Sequence, residues 1–376
     1  MSDFLEFSVP TPFTREGMRQ IIELNKKLTK VKITSTYNCL PEQCIEFTGF
    51  EQPRLGVDET INSLDQLLEI AQIGKKAGID FIYVCNSPAE KTEFEMQIGC
   101  EKVSKLVEKL GEYQFDKLRV TNVQLIDYLA INHPEIKVYA STSQEYMSIQ
   151  EYYQMLEQYK NIREILPSWD MNKDIRFIKG LRSFISQDIE IMVNEGCIAG
   201  CPFRTQHNAS LQKSDYTYFV PDDKKSVLYN AFYSKSCTMI FLKNIWETIC
   251  LSNIIYPWEI KRYAEATGVR KFKLVGRNCA AFRNGTYIEI YEKFLMGIEN
   301  PELLLQEPIS MTNHYISEIS EFSSISIGDV KDLLPSINYF IDYGPDCKNI
   351  CGQECNYCYI QAMKLKNRFP LLYEGG

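Results

Sequence analysis

Hydrophobic and polar residues follow two different periods along this chain. Short runs rich in β-branched and aromatic residues, roughly four to eight residues long, alternate with longer segments whose apolar residues recur three and four positions apart. The segment 63–78 is an example of the second kind, because Leu64, Leu67, Leu68 and Ala71 share one helical face. The pattern therefore predicts strands and amphipathic helices in alternation from the start of the chain.

Eight short runs are predicted to be strands: Leu5–Pro10, Val31–Tyr37, Asp80–Cys85, Leu118–Thr121, Ile136–Ala140, Ile162–Leu166, Ile189–Val193 and Lys271–Val275. The helices predicted between and after them begin near Thr14 and Ser63 and then cover Cys100–Leu110, Val123–Asn132, Gln144–Tyr159, Asn172–Phe184, Pro257–Thr267 and Thr286–Gly297. Eight strands spaced by helices predict an α/β fold, a closed (β/α)8 TIM-like barrel. An open doubly wound sheet is the alternative.

The domain organisation follows from where this alternation stops. Residues 1–299 are predicted to form the barrel, with an irregular insertion at about 210–252 after the seventh strand. Residues 300–376 are predicted to be a C-terminal extension that ends in a cysteine-rich tail. A chain of 376 residues with 45% hydrophobic content is long enough for one large domain with such an appendage.

Polar residues stand where the predicted strands end, and a barrel would bring them to one face. They are Ser8, Thr11, Thr34 to Thr36, Asn38, Cys85, Asn86, Asn122, Ser141, Thr142, Ser168 to Asp170, Asn194, Glu195 and Arg277. This set is polar with few charges, and it suits a small hydrogen-bonding ligand better than a polyphosphate. The alternative for any one of them is that chains turn at strand ends and turns are polar.

Charge and composition narrow the function classes. The net charge is −8 with scattered Lys and Arg, which argues against binding to duplex DNA but not against a small structured RNA. The first twenty residues have no signal-peptide pattern, and no stretch is apolar enough to span a membrane, so we expect a cytoplasmic protein. Thirteen cysteines in a reducing compartment indicate metal or iron–sulfur ligation more than disulfides.

The first cysteine group follows the seventh strand. That strand releases Asn194 and Glu195, then Cys197 and Cys201 beside glycines, and Arg204 and His207 come next. Together with Cys237 downstream, the two cysteines are candidate metal ligands. A fourth ligand is expected from the tail, from Cys279 or from Cys39.

The second group is the tail segment with Cys347, Cys351, Cys355 and Cys358. Thiolates are the soft ligands of iron–sulfur clusters and of zinc. One compact run of four favours a cluster, because structural zinc is usually held by two separated pairs. The last three cysteines also have the spacing of the radical S-adenosylmethionine motif, which in that family follows the first barrel strand.

At its seventh and eighth strands the chain resembles the collagenase-like peptidase family U32. The resemblance lies in NEGCIAGCPFR, in SKSCTMIFLKNI around Cys237, and in YPWEIKRYAEATGVRKFKLVGRN. It implies a (β/α) barrel, and it implies hydroxylation of RNA or of ubiquinone with a [4Fe–4S] cluster held by four cysteines. Cys197 and Cys237 match family cluster positions, Cys201 lies near a third with shorter spacing, and the fourth has no counterpart here.

We therefore expect an iron–sulfur enzyme that modifies a small-molecule, peptide or RNA substrate by hydroxylation or related redox chemistry, served by a partner protein or electron donor. Arg204 and Arg277 would anchor carboxylates, Glu195 would act as acid or base, and His207 as a general acid or a polar neighbour of the cysteines. The alternatives are a non-catalytic cluster scaffold or electron relay, a U32-type peptidase and a radical S-adenosylmethionine-like enzyme. The motifs GxSxG and HExxH are absent, which weighs against the peptidase.

Overall fold

The first and eighth strands pair with each other, so the sheet closes. The computed structural model describes residues 4–40, 44–51, 61, 63–88, 91–142, 146, 148–197, 199–201, 204, 244–276, 281–305 and 324–370, with side chains omitted at 281–284 and 348. Its strands are β1 Leu5–Pro10, β2 Val31–Asn38, β3 Asp80–Cys85, β4 Lys117–Val120, β5 Lys137–Ala140, β6 Ile162–Ile165, β7 Asp188–Met192 and β8 Lys271–Lys273. All neighbours pair in parallel in the order β1 to β8, and β1 pairs with both β2 and β8. The predicted (β/α)8 barrel is confirmed, and the open sheet is wrong.

Helices connect these strands on the outside of the barrel and continue after it. They are α1 Arg15–Lys27, α2 Leu64–Lys76, α3 Glu93–Glu112, α4 Val123–Asn132, α5 Ile149–Gln158, α6 Ile175–Phe184, α7 Ile245–Leu251, α8 Ile260–Thr267, α9 Ala281–Leu295, α10 Ile327–Val330, α11 Ile337–Tyr343, α12 Cys347–Ile350 and α13 Tyr357–Arg368. None of the described helices has the length and apolar character that a membrane crossing requires.

Local signals set the helix ends. The Thr14 hydroxyl accepts from the backbone N–H of Gly17 at 3.0 Å, and α8 ends at Gly268, which adopts the left-handed conformation. Five helices (α3, α5, α6, α8 and α9) begin at residues other than those predicted. For α3 and α5 the physical reason is a capping box. Thr92 starts α3 earlier and Ser148 starts α5 later, each with a glutamate three positions on.

The interior of the barrel contains charges as well as apolar residues. Arg119 of β4 is fully buried; its Nη2 donates to Glu164 of β6 at 2.9 Å and its Nη1 donates to Glu190 of β7 at 2.5 Å. Ser8 donates to Glu190 at 2.6 Å, and Lys271 lies 3.3 Å from Glu164. Burial and the charge of Glu190 raise the pKa of Glu164 to about 7. Burial also acts on Glu190, but contact with Arg119 outweighs it and holds the pKa of Glu190 below its usual value.

The C-terminal extension packs against α7 and shares a second apolar core with it. The indole N–H of Trp246 donates to the carbonyl of Phe369 at 2.9 Å, and Lys366 pairs with Glu247 at 3.1 Å. The core residues are Ile245, Trp246, Ile249, Cys250, Ile254, Tyr256, Leu305, Ile325, Val330, Leu334, Ala362 and Leu365. The extension therefore lies beside the loops that follow β6 and β7.

Candidate functional site

The carboxyl ends of the strands carry buried polar side chains, as the sequence predicted for one face of a barrel. The buried members of that predicted set are Ser8, Thr11, Thr36, Asn38, Cys85, Ser141, Thr142, Ser168 and Asn194. Some of these side chains hydrogen-bond the backbone of neighbouring loops: Asn38 donates to the Thr11 carbonyl at 2.9 Å, and Thr142 donates to the Pro167 carbonyl at 2.8 Å. Strand ends thus supply both turn-stabilising groups and groups that could serve a ligand.

Four polar atoms around this mouth are buried and have no hydrogen-bond partner among the described residues. They are Thr11 Oγ1 after β1, Asn86 Oδ1 after β3, and Trp169 Nε1 and Asn172 Oδ1 after β6. The orientation of Asn172 is fixed, because its Nδ2 donates to the carbonyls of Met192 at 2.6 Å and Asn253 at 3.2 Å. A buried polar group costs free energy unless it is paired, so these atoms fit a bound polar ligand or ordered water.

An ion pair joins the β6 and β7 loops. Arg204 Nη1 donates to Asp170 Oδ2, and Asp170 Oδ1 accepts from the backbone N–H of Gly200 at 3.2 Å. The guanidinium carbon of Arg204 lies 4.6 Å from the ring centroid of Trp169, at a distance typical of a cation–π contact. Burial opposes the charge of Arg204, but the Asp170 hydrogen bond and Cys197 raise its pKa, so it remains a cation.

The Cys197 thiol lies at the centre of this corner. It contacts both the Cys201 thiol and the Arg204 guanidinium, so the spacing of the two cysteines does bring them together. The hydrogen bond with Cys201, then burial, then the charge of Glu195 raise the pKa of Cys197 far above its usual value. Cys197 is therefore a thiol at neutral pH unless a metal displaces the proton.

Glu195 helps to shape the loop, since its Oε1 accepts from the backbone N–H of Cys197 at 3.1 Å. Three other predicted site residues, His207, Cys237 and Arg277, lie outside the described residues. The sites predicted for them stay predictions. The same holds for Cys279, one of the proposed sources of a fourth ligand.

The tail thiols form a separate group. The charges that act on Cys347 come from Cys358, Asp174, Cys351 and Cys355, and together with burial, the largest cause, they raise its pKa to about 12. Burial and the neighbouring thiols raise the pKa of Cys358 to about 11. The leading neighbours of Cys197 are instead Cys201, Glu195 and Arg204.

The donor sets can be compared with those of metal centres. Among the described residues, no three His, Cys, Asp or Glu side chains are arranged around a single metal ion. At the barrel mouth two thiols touch, and the third predicted ligand, Cys237, is not described. The chemistry of this pair, two soft donors beside the cation of Arg204, fits part of a thiolate-bound centre.

Sequence reasoning named Trp169 only as part of the run Ser168 to Asp170, and it missed Asn172 and Lys173. All three lie within twelve residues after β6 begins and all are buried, although lysine is rarely buried. Lys173 Nζ donates to the Ser252 carbonyl at 2.7 Å. The run Ser168–Lys173 after a predicted strand was a usable signal, because its polar residues follow the carboxyl end of that strand.

Comparisons with known proteins place these features in context. No family model matches the chain. The chain is 21% identical to the Uncharacterized protease MJ1657 of Methanocaldococcus jannaschii over 95% of this chain and 98% of that protein. Among solved structures it is similar to the U32 peptidase Mk0906, with 10% identity, a TM-score of 0.49, and coverage of 73% and 94% of the two chains. A monomeric dihydrodipicolinate synthase variant matches with 10% identity, a TM-score of 0.34 and coverage of 71% and 98%.

The resemblance to a peptidase family that the sequence indicated agrees with the name of MJ1657, a protease. The similarity to MJ1657 extends along nearly the whole of both chains, so it includes the C-terminal extension as well as the barrel.

Proposed function

We propose that this protein is an iron–sulfur enzyme of the U32 type, which modifies a polar substrate bound at the mouth of the barrel by hydroxylation or a related redox step. The observation that carries the proposal is the corner formed by Asp170, Arg204, Cys197 and Cys201. That corner lies beside the buried indole N–H of Trp169, which has no partner among the described residues. A site with convergent polar groups and a strongly perturbed thiol is the default candidate for catalysis.

The chain's own residues have distinct roles in this proposal. Trp169 donates a hydrogen bond to the substrate, and the amide oxygens of Asn172 and Asn86 accept from it, which fixes the orientation of a hydroxyl- or amide-bearing molecule. Arg204 is held in place by Asp170, so its charge stays next to Cys197. Glu195 is positioned by the backbone of the same loop, where it could carry a proton.

Cys197 and Cys201 would hold the cluster, with Cys237 as a third ligand. A cluster in that position would supply electrons or a Lewis-acidic iron to the bound substrate. The Arg204 cation would offset part of the negative charge of the thiolates, which a buried site requires.

Peptide hydrolysis is the second candidate, because MJ1657 is named a protease and Mk0906 a U32 peptidase. A cysteine nucleophile needs a lowered pKa, and that of Cys197 is raised. A histidine base would be needed beside such a nucleophile. Within the described part of the chain the one histidine is His133, and its ring is hydrogen-bonded to Ser104 at 2.8 Å on the α3–α4 side of the barrel. The geometry of the described site therefore supports redox modification better than hydrolysis.

Two assays separate these functions. A strain that lacks the protein is complemented with the wild-type chain, with Cys197→Ala, or with Cys100→Ala as a control thiol on α3. Hydroxylated RNA nucleosides and quinones are then compared by mass spectrometry. We expect a hydroxylated species that disappears with Cys197→Ala and remains with Cys100→Ala. Hydrolysis of casein or collagen peptides by purified protein, undiminished by Cys197→Ala and without any change in hydroxylated species, would refute the proposal.

A further inference from the structure

The four tail cysteines lie on one tightly folded knuckle. The short helix Cys347–Ile350 begins this segment. After it, the carbonyl of Ile350 accepts hydrogen bonds from the backbone N–H groups of residues 353–355, each at 3.1 Å. Gly352 has a φ of 76°, which favours glycine, and its N–H donates to the carbonyl of Cys355 at 3.0 Å. The helix Tyr357–Arg368 then begins, with the last cysteine in its first turn.

This folding brings the four thiols into one neighbourhood. The thiol of Cys347 has the other three among its electrostatic neighbours, and the thiol of Cys358 is influenced by Cys351 and Cys355. Cys347 and Cys358 face inward and pack against the hydrophobic core, whereas Cys351 is exposed. The group therefore lies at the surface with a closed inner side.

Two tyrosine rings of the C-terminal extension, those of Tyr339 and Tyr357, lie at the knuckle. The Tyr339 hydroxyl lies 3.5 Å from the Cys355 sulfur, within hydrogen-bond distance for a thiol or thiolate. The ring of Tyr339 stacks on that of Tyr357 with centroids 3.8 Å apart. Hydrogen bonds to cluster sulfurs and shielding from solvent are the features that tune iron–sulfur centres.

A buried cation stands behind the thiols. Lys173 is 3% exposed, and its ammonium lies over the rings of Tyr256 at 6.0 Å and Phe340 at 5.6 Å. The Cys358 thiol has this ammonium as its leading charged neighbour, ahead of the other tail thiols. Glu259 is a further charged neighbour of Lys173. A buried positive charge next to Cys358, one of the four potential thiolates, suits an anionic group in that position.

A second polar group on the inner side is unsatisfied. The hydroxyl of Tyr256 is fully buried and has no hydrogen-bond partner among the described residues. Its electrostatic neighbours are Cys250, Glu259 and Cys358. Leaving such a donor unpaired costs free energy, so a sulfur acceptor bound next to Cys358 would stabilise the site.

Four thiols in one compact run favour a cluster over a single zinc ion, because structural zinc is usually held by two separated ligand pairs. Zinc would require four sulfurs at about 2.3 Å from one centre. Among the described residues no three ligand side chains surround one ion in that way. In a [4Fe–4S] cluster each thiolate binds a different iron, so the four sulfurs stand farther apart.

We propose that Cys347, Cys351, Cys355 and Cys358 bind a [4Fe–4S] cluster in the C-terminal extension, and that Lys173 and Tyr256 of the barrel side stabilise its negative charge. This site is distinct from the thiol pair at the mouth of the barrel. It does not depend on the function proposed for that pair.

The first test measures iron and acid-labile sulfide in the full chain, purified without oxygen or reconstituted with ferrous iron and sulfide. The variant Cys351→Ser/Cys355→Ser changes the exposed ligand and one that does not pack against the hydrophobic core, so the fold should persist, and circular dichroism checks this. We expect it to lose about four irons and four sulfides per chain relative to wild type. Cys100→Ala should lose none, and Cys197→Ser/Cys201→Ser should keep the iron and sulfide that the tail variant loses.

The second test measures the reduction potential of the cluster in Lys173→Met and Lys173→Arg. Removing the buried cation stabilises the more oxidised, less negative state, so the potential of Lys173→Met should become more negative, while Lys173→Arg should stay close to wild type. Iron and sulfide contents that are the same in the tail variant and the wild type would overturn the proposal. Stoichiometric zinc that disappears with the tail cysteines would overturn it as well.

Discussion

The buried ion network of the barrel offers a direct test of how this fold tolerates charge in its interior. In Arg119→Met the side chain keeps a similar length but loses its charge. The carboxylates of Glu164 and Glu190 then lose the guanidinium that lies 2.9 Å and 2.5 Å from them. Ser8 and Lys271 remain as partners, one for each carboxylate, and the charge of Lys273 still acts on Glu190.

The expected loss of stability can be worked from this arrangement. Breaking a buried pair by removing one partner costs about 3–5 kcal/mol, because a charge is left buried without compensation. Here two carboxylates are affected, so we expect the upper part of that range at pH 8. A carboxyl that holds a proton in the folded variant but not in the unfolded chain makes the free energy of unfolding rise by about 1.4 kcal/mol for each pH unit by which the pH falls. The deficit should therefore shrink as the pH falls from 8 to 6.

The assay is urea denaturation of wild type, Arg119→Met and the control Arg163→Met at both pH values. Arg163 is exposed on β6, one residue before Glu164, so its replacement should change the free energy of unfolding by less than about 0.5 kcal/mol. A loss below about 1 kcal/mol in Arg119→Met, or a deficit that is independent of pH, would refute the reasoning.

Three further changes have definite expected outcomes. Glu292 of α9 accepts from the backbone of Thr29, Lys30 and Val31, which outweighs its burial and holds its pKa below the usual value. The Glu292 carboxylate thus contributes to the free energy of unfolding at pH values above its pKa in the unfolded chain. This contribution is lost as the pH falls through its lower pKa in the folded protein. Glu292→Gln should cost about 1.5–3 kcal/mol in chemical denaturation at pH 7 and progressively less as the pH falls through that folded pKa, while exposed Glu289→Gln should cost little over the same pH range. On α3, Gly99→Ala would place a Cβ 2.6 Å from the ring of Phe50 and should cost about 1–3 kcal/mol, whereas Gly111→Ala meets open space and should gain up to about 1 kcal/mol in thermal unfolding. Asp170→Asn removes the carboxylate that pairs with Arg204, so the guanidinium charge acts more fully on Cys197 and favours its thiolate. In the metal-free protein, iodoacetamide should therefore alkylate Cys197 faster in Asp170→Asn than in wild type or in the control Asp188→Asn, which changes an exposed carboxylate. Equal alkylation rates would contradict the role given to the pair of Asp170 and Arg204.

The fold could be predicted from the sequence to a large extent. Strands such as Asp80–Cys85 are buried on both sides and read as continuous apolar runs, and helices such as Val123–Asn132 show a clear apolar face. The starts of α3 and α5 were misplaced although the sequence contained the signal, since Thr92 with Glu95 and Ser148 with Glu151 are capping boxes.

The candidate site was predicted in part. The contact of Cys197 with Cys201 follows from short spacing beside glycine, which sequence can reveal. The pairing of Asp170 with Arg204 joins residues that are thirty-four positions apart in two different loops, and no local pattern encodes it. The burial of Lys173 is likewise a product of how the extension packs on the barrel, because lysine alone predicts a solvent-exposed side chain.

The claim that the corner at β6 and β7 is a thiolate-bound redox centre can be tested by one measurement. Iron and acid-labile sulfide are determined per folded chain in wild type and in Cys197→Ser/Cys201→Ser, both purified without oxygen and both with the tail intact. The account predicts that the double variant loses iron and sulfide in equal amounts and keeps only the share bound by the tail. Identical iron and sulfide contents in the two proteins would contradict it.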